Sequence, residues 1–108
     1  MLLESTHIIF LSANGDTSTW LSEKLRPVGL AIKEVHFRHE VERELQTNGI
    51  YSLVVYRCDT VSRDILELLN YLTRNSLKTR LLVSAKSGSV EDAVECLKAG
   101  AIDFVIGD

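Results

Sequence analysis

The chain has 108 residues, 45% hydrophobic and 25% charged, which suffices for one domain with a single hydrophobic core and excludes two. Its 12 Lys and Arg are outnumbered by 15 Asp and Glu, giving a formal net charge of −3, and this argues against direct nucleic-acid contact. No apolar run approaches the roughly 20 residues of a membrane span, and the opening MLLESTHIIFLSA has no basic region ahead of its apolar run, so no signal peptide is expected and the cytoplasm is the expected location.

Apolar runs alternate with amphipathic stretches. His7 to Ala13 (HIIFLSA) is nearly all apolar, as befits a strand buried on both faces. Asn14-Gly15-Asp16 is turn chemistry, and Asp16 or Ser18 can cap a helix carrying Trp20, Leu21, Leu25 and Val28. Pro27 and Gly29 stop it. Leu30 to Phe37 alternates loosely, with Ala31, Lys33, Val35 and Phe37 on one face and Ile32, Glu34 and His36 on the other, which predicts an edge strand. His39 to Thr47 is a weak helix with a narrow face of Val41 and Leu45, and Gly49 offers it a left-handed stop.

Tyr51 to Tyr56 (YSLVVY) predicts a second buried strand, followed by Arg57-Cys58-Asp59-Thr60. Ser62 can cap a strong helix with Ile65, Leu68, Leu69 and Leu72 inside. Arg80 to Ala85 predicts a third buried strand. Ser89-Val90-Glu91-Asp92 resembles a capping box. The helix it opens is expected to turn Ala93, Val94, Leu97 and Ala101 inward and to end at Gly100. Ile102 to Ile106 is the last expected strand. The sequence has no linker, repeat or low-complexity segment.

Cys58 and Cys96 fit no metal spacing and are expected as reduced thiols. Cys58 beside Arg57 has the setting of a redox thiol, against the simpler reading of a small apolar residue. His7, His36 and His39 have no ligand spacing, so no metal is expected. Lys86-Ser87-Gly88-Ser89 lacks the spacing of a phosphate loop, and its glycine is read as serving a turn.

Strands separated by helices predict a parallel sheet with right-handed crossovers. The expected fold is α/β, flavodoxin-like, with five strands in the order 2-1-3-4-5. In such sheets the site lies at the carboxyl ends of the strands. Those ends are Ser12-Ala13-Asn14, Arg57-Cys58-Asp59 and Ser84-Ala85-Lys86.

Three motifs then carry a family resemblance. EDAVECLKAGAIDFVI is similar to the run AVEALKAGAYDFL common in receivers of bacterial transcriptional regulators, especially those ahead of sigma-54-type ATPase or LuxR-type domains. Tyr51-Ser52-Leu53-Val54-Val55 is similar to their YDLVLLD strand, and Leu66-Glu67-Leu68-Leu69 to their LELL helix. The whole chain thus resembles a CheY-like response-regulator receiver domain. The resemblance implies a three-layer sandwich whose fifth helix is missing from this chain, and a receiver-like domain over 1–108 forming the N-terminal part of a longer regulator.

The same resemblance implies a degenerate site, that of a pseudo-receiver. Receivers use two acids at the end of strand 1 to bind magnesium, because a small hard cation wants carboxylate oxygens. They use an aspartate nucleophile after strand 3, a hydroxyl after strand 4 and a Lys-Pro after strand 5. Here the acid pair falls on Ser12 and Ala13, the phosphoacceptor on Arg57, and the Lys-Pro pair on Gly107 and Asp108. Ser84 keeps the hydroxyl, and Phe104 takes the place of the aromatic switch. The plainer reading makes Ser84 a strand-end hydroxyl bonding nearby backbone, and Phe104 a half-buried strand aromatic. Asn14 and Asp59 flank the site. Arg57 can neither attack phosphorus nor tolerate magnesium, and is expected to bond Asp59, Asn14 or Ser84 instead.

The expected function is therefore regulatory protein–protein contact without aspartyl phosphorylation and without a cofactor, in a protein that is not an enzyme. Expected partners are a second copy, through the face of helix 4 and strand 5, and an attached DNA-binding or ATPase output domain. Two other classes stay open at this point. One is a small-anion or nucleotide-binding module built on Arg57 and Ser84. The other is an active phosphoacceptor using a displaced Asp59 or Asp16.

Overall fold

The computed structural model describes residues 7–13, 31–75 and 77–107. The expected helix carrying Trp20, Leu21, Leu25 and Val28 lies outside the described residues, as do Asn14, Asp16 and Asp108. In chain order the described elements are β1 (His7–Ser12), β2 (Ala31–Val35), α1 (Arg38–Thr47), β3 (Tyr51–Cys58), α2 (Arg63–Arg74), β4 (Arg80–Ala85), α3 (Val90–Lys98) and β5 (Asp103–Ile106). The strands form one parallel sheet of order β2-β1-β3-β4-β5, the flavodoxin-like, CheY-like arrangement that the alternation of runs predicts.

The pleat sends successive side chains to opposite faces. On one face Ile9, Leu11, Val54, Tyr56, Cys58, Leu81, Val83 and Ala85 join the main core. α1, α2 and α3 pack there through Val41, Leu45, Ile65, Leu68, Leu69, Leu72 and Cys96. The opposite face holds a smaller cluster of Ile8, Phe10 and Val55. Strands buried on both faces need near-continuous apolar runs, which is why β1 and β3 read so plainly.

α2 presents five buried residues to the sheet and α1 only Val41 and Leu45. At about 1.5–3 kcal/mol per buried side chain, α1 gains far less from burial. Arg38 supplements it, with Nη1 to Glu42 at 2.7 Å, Nε to Asp64 at 2.8 Å and Nη2 to Glu67 at 2.9 Å. One guanidinium thus joins the starts of α1 and α2. The Glu40 carboxylate accepts from the amides of His36 and Phe37, at 2.9 and 3.0 Å. These bonds, chiefly that from His36, hold Glu40 below the usual carboxylate range.

Both predicted features of the last helix are present at its ends. Ser89 Oγ accepts from the Asp92 amide and Asp92 Oδ2 from the Ser89 amide, each at 3.0 Å. At the other end Gly100 has φ +117°. Its amide donates to Leu97 and that of Ala101 to Cys96, a pairing that only a left-handed residue allows at low cost.

Several expectations are corrected. α3 buries Cys96, with Ala93 half-buried, while Val94 and Leu97 are 44% and 45% exposed. The apolar residues of this nine-residue helix share one broad face, and the sheet takes its Cys96 and Ala93 edge, so the larger side chains misidentified the inner face. Gly49 is not left-handed; α1 ends instead at an extended Asn48, whose amide donates to Glu44. β2 stops at Val35, its one fully buried residue, and Phe37 lies beyond it, 62% exposed. β3 extends to Cys58, two residues past the expected end, and β5 starts at Asp103. Ser62 stands at the N-cap of α2 but makes no side-chain capping bond.

Candidate functional site

Parallel pairing lines up the carboxyl ends of the strands. Ser12 lies opposite Arg57, Arg57 opposite Ser84, and Ser84 opposite Val105. The side chains of Arg57 and Ser84 therefore rise from one face of the sheet into one space. The ladder runs on into the loops: Ala13 N donates to Arg57 O, Lys86 N to Cys58 O, Ser87 N to Asp59 O and Gly107 N to Ala85 O, all at 2.9–3.0 Å.

Arg57 is the centre of this site. It is only 7% exposed. Its Nη1 donates to Ser84 Oγ at 2.9 Å and to the carbonyl of Gly107 at 3.1 Å. A single guanidinium group from β3 thus reaches over β4 to the residue that follows β5. The expected bond to Ser84 is present; the partner at Gly107 is a backbone carbonyl, which side-chain identities do not point to.

Gly107 has φ +106°, and a Cβ there would meet nothing within 4 Å. Conformation, not crowding, selects glycine. A lysine at this position would carry backbone strain in the fold as it stands. Ser12 is fully buried, and its carbonyl lies 3.4 Å from His36 Nδ1. Ala13 is exposed. Asp59 is exposed on the loop, with Lys86 Nζ 3.8 Å from its Oδ1.

Ser84 bonds the Arg57 side chain rather than only neighbouring backbone. Phe104 is half-buried and packs on the main core. Its ring lies 3.3 Å from where a Cβ on Gly88 would stand, so Gly88 serves a close approach of the aromatic to the loop before α3 rather than a turn alone. Cys58 is 5% exposed. Burial pushes its thiol up to about 11, outweighing the opposite pull of Arg57. At neutral pH it is a thiol, and the redox reading of Cys58 loses its thiolate. Cys96 is fully buried and its thiol is likewise raised by burial.

One functional-looking group escaped the sequence reading. Tyr56 is 2% exposed, yet its hydroxyl donates to Asp64 Oδ2 at 2.6 Å. Asp64 also receives Arg38. Burial, then the Asp64 carboxylate, raises the Tyr56 phenol well above its ordinary value. The signal available was an acid, Asp64, in the first turn of the helix that follows the strand carrying Tyr56. Two grooves, of about 400 and 250 Å3, flank Tyr56 and Ala13. Among the described residues no group of His, Cys, Asp and Glu is placed to hold a metal.

No protein-family model and no curated protein sequence matches the chain. Solved structures do. An orphan response regulator of H. pylori superposes with TM-score 0.82 at 16% identity, over 97% of this chain and 85% of that one. The beryllofluoride-activated NtrC4 receiver domain dimer gives TM-score 0.81 at 20% identity, over 94% and 84%. The receiver domain of the Francisella response regulator 1452 gives 0.77 at 19%, over 93% and 82%. At these identities the likeness establishes the fold, which is that of response-regulator receiver domains.

Proposed function

We propose that the chain is a regulatory domain of a bacterial response regulator that works through protein contacts without aspartyl phosphorylation. The observation that carries this reading is Arg57. Its guanidinium fills the space between Ser84 and Gly107 at the carboxyl ends of β3, β4 and β5. A fixed positive charge there repels magnesium and has no nucleophilic character. Ser12 and Ala13 supply no carboxylate on the neighbouring strand. Incubation with acetyl phosphate and magnesium, followed by intact mass, is expected to return the unmodified chain. A stoichiometric phosphoryl adduct on Asp59 or Asp16 would overturn the reading.

The partner side of the proposal rests on α3 and β5. Val94, Leu97 and Val105 are each near 45% exposed, and Ile106 is 51% exposed. Neighbouring apolar side chains left open on adjacent elements favour a protein partner. We assign this face to a homodimer, alongside an attached output domain. Sedimentation is expected to detect dimer at roughly tens of micromolar, and Val94→Glu to remove it. A monomer throughout that range would withdraw the dimer while leaving the phosphorylation question untouched.

A further inference from the structure

The opposite pole of the sheet carries its own surface. Two grooves, of about 460 and 620 Å3, open at the amino ends of β3 and β4, and both share the segment Leu77–Arg80 as a common wall. Among the described residues neither is lined by a carboxylate, in a chain where acids outnumber bases by 15 to 12. The grooves at the carboxyl ends, by contrast, include Asp64 and Asp59.

Cations stand beside both of these grooves. Lys33, Arg38 and Lys86 are each paired with carboxylates. Lys78 and Arg80 are exposed and make no ion pair among the described residues. Arg74, in the last turn of α2, and Lys98, in the last turn of α3, are exposed nearby in the fold. Apolar groups stand among them: Ile50 and Ile102 are each 45% exposed, and Leu77 is half-buried.

We infer that this amino-end surface docks an acidic peptide segment bearing apolar side chains. The apolar residues would enter the two grooves, and the carboxylates would meet Lys78 and Arg80. Charge complementarity selects the occupant, since cations without an ion pair among the described residues, beside grooves lined by no described carboxylate, steer and orient an anionic partner. A nucleic acid would need a longer cation track to gain comparable counterion release. An anionic bilayer would meet a grooved surface rather than an apolar ridge. The inference stands apart from the proposed function, because this surface lies at the other end of the strands from Arg57.

The test uses fluorescence anisotropy with a fluorescein-labelled synthetic peptide of alternating Glu and Leu, and the same peptide with Lys for Glu. Binding of the acidic peptide alone is expected, weakening as salt is raised. Lys78→Glu with Arg80→Glu is expected to weaken it about tenfold or more. Arg43→Glu with Arg63→Glu, exposed cations on the other helices, is expected to change it less than about twofold. All four positions are exposed, and circular dichroism checks that each variant is folded. Absent binding, equal binding by the control peptide, or indifference to the Lys78 and Arg80 changes would overturn the inference. Tighter binding to a labelled DNA oligonucleotide or to phosphatidylserine vesicles would overturn the class of partner.

Discussion

Replacing Arg57 by Ala is expected to cost about 1–3 kcal/mol, because it leaves the Ser84 hydroxyl and the Gly107 carbonyl without their donor. The local effect should exceed the global one. β5 is four residues long and, among the described residues, pairs with β4 alone. The guanidinium gives it a second attachment, to β3. Amide exchange at Ile106 and Gly107 should therefore quicken in Arg57→Ala, while β1 and β3 keep their protection. Arg57→Met separates charge from volume: it fills the space but cannot donate. Its global cost should be smaller, since burying a guanidinium is itself expensive, yet the loss of β5 protection should match that of Ala. Urea unfolding and amide exchange measure the two quantities. Unchanged exchange at Gly107 in both variants would show that Arg57 does not tie the sheet edge.

Leu68→Ala is expected to be the larger lesion, at about 2–5 kcal/mol. Leu68 is fully buried in the middle of α2, which has five buried residues, more than either other described helix. Truncation removes apolar burial and leaves a cavity against a close-packed wall. Against a total stability of about 5–15 kcal/mol for a domain of this kind, that is a large fraction. Val90→Ala is the matched control, since Val90 is 77% exposed and its change should stay within about 0.5 kcal/mol. Chemical denaturation of the three proteins decides it. A Leu68 effect as small as that of Val90 would contradict the assignment of the core.

What was legible in the sequence follows physical strength. The strands at the sheet centre are β1 and β3, largely buried on both faces, and β4, buried on one and half-buried on the other, so all three announce themselves as apolar runs. The reciprocal bonds of Ser89 and Asp92 and the left-handed Gly100 are local, and local chemistry survives folding. The rank of Ser12, Arg57 and Ser84 could be anticipated because parallel register aligns strand ends. The inner face of α3 could not, because Val94 and Leu97 are the bulkier apolar side chains, and only the tertiary packing chose Cys96. Side-chain chemistry alone makes Gly107 the place where the family resemblance implies a lysine. Its role in the fold is a backbone carbonyl offered to Arg57 from a left-handed residue, and side-chain identity alone does not disclose where a carbonyl points. The Tyr56, Asp64 and Arg38 chain was missed for a similar reason, since it joins three elements by long-range contact.

The bond from Arg57 to Gly107 also couples two positions to substitution. An aspartate placed at position 57 would face the Gly107 carbonyl with no donor supplied from the side chain of residue 107. A lysine placed at position 107 would have to take up φ +106° beside a guanidinium already in place. Either change alone breaks a bond or strains a turn that the other leaves standing. A carboxylate pocket on this backbone would need both changes together.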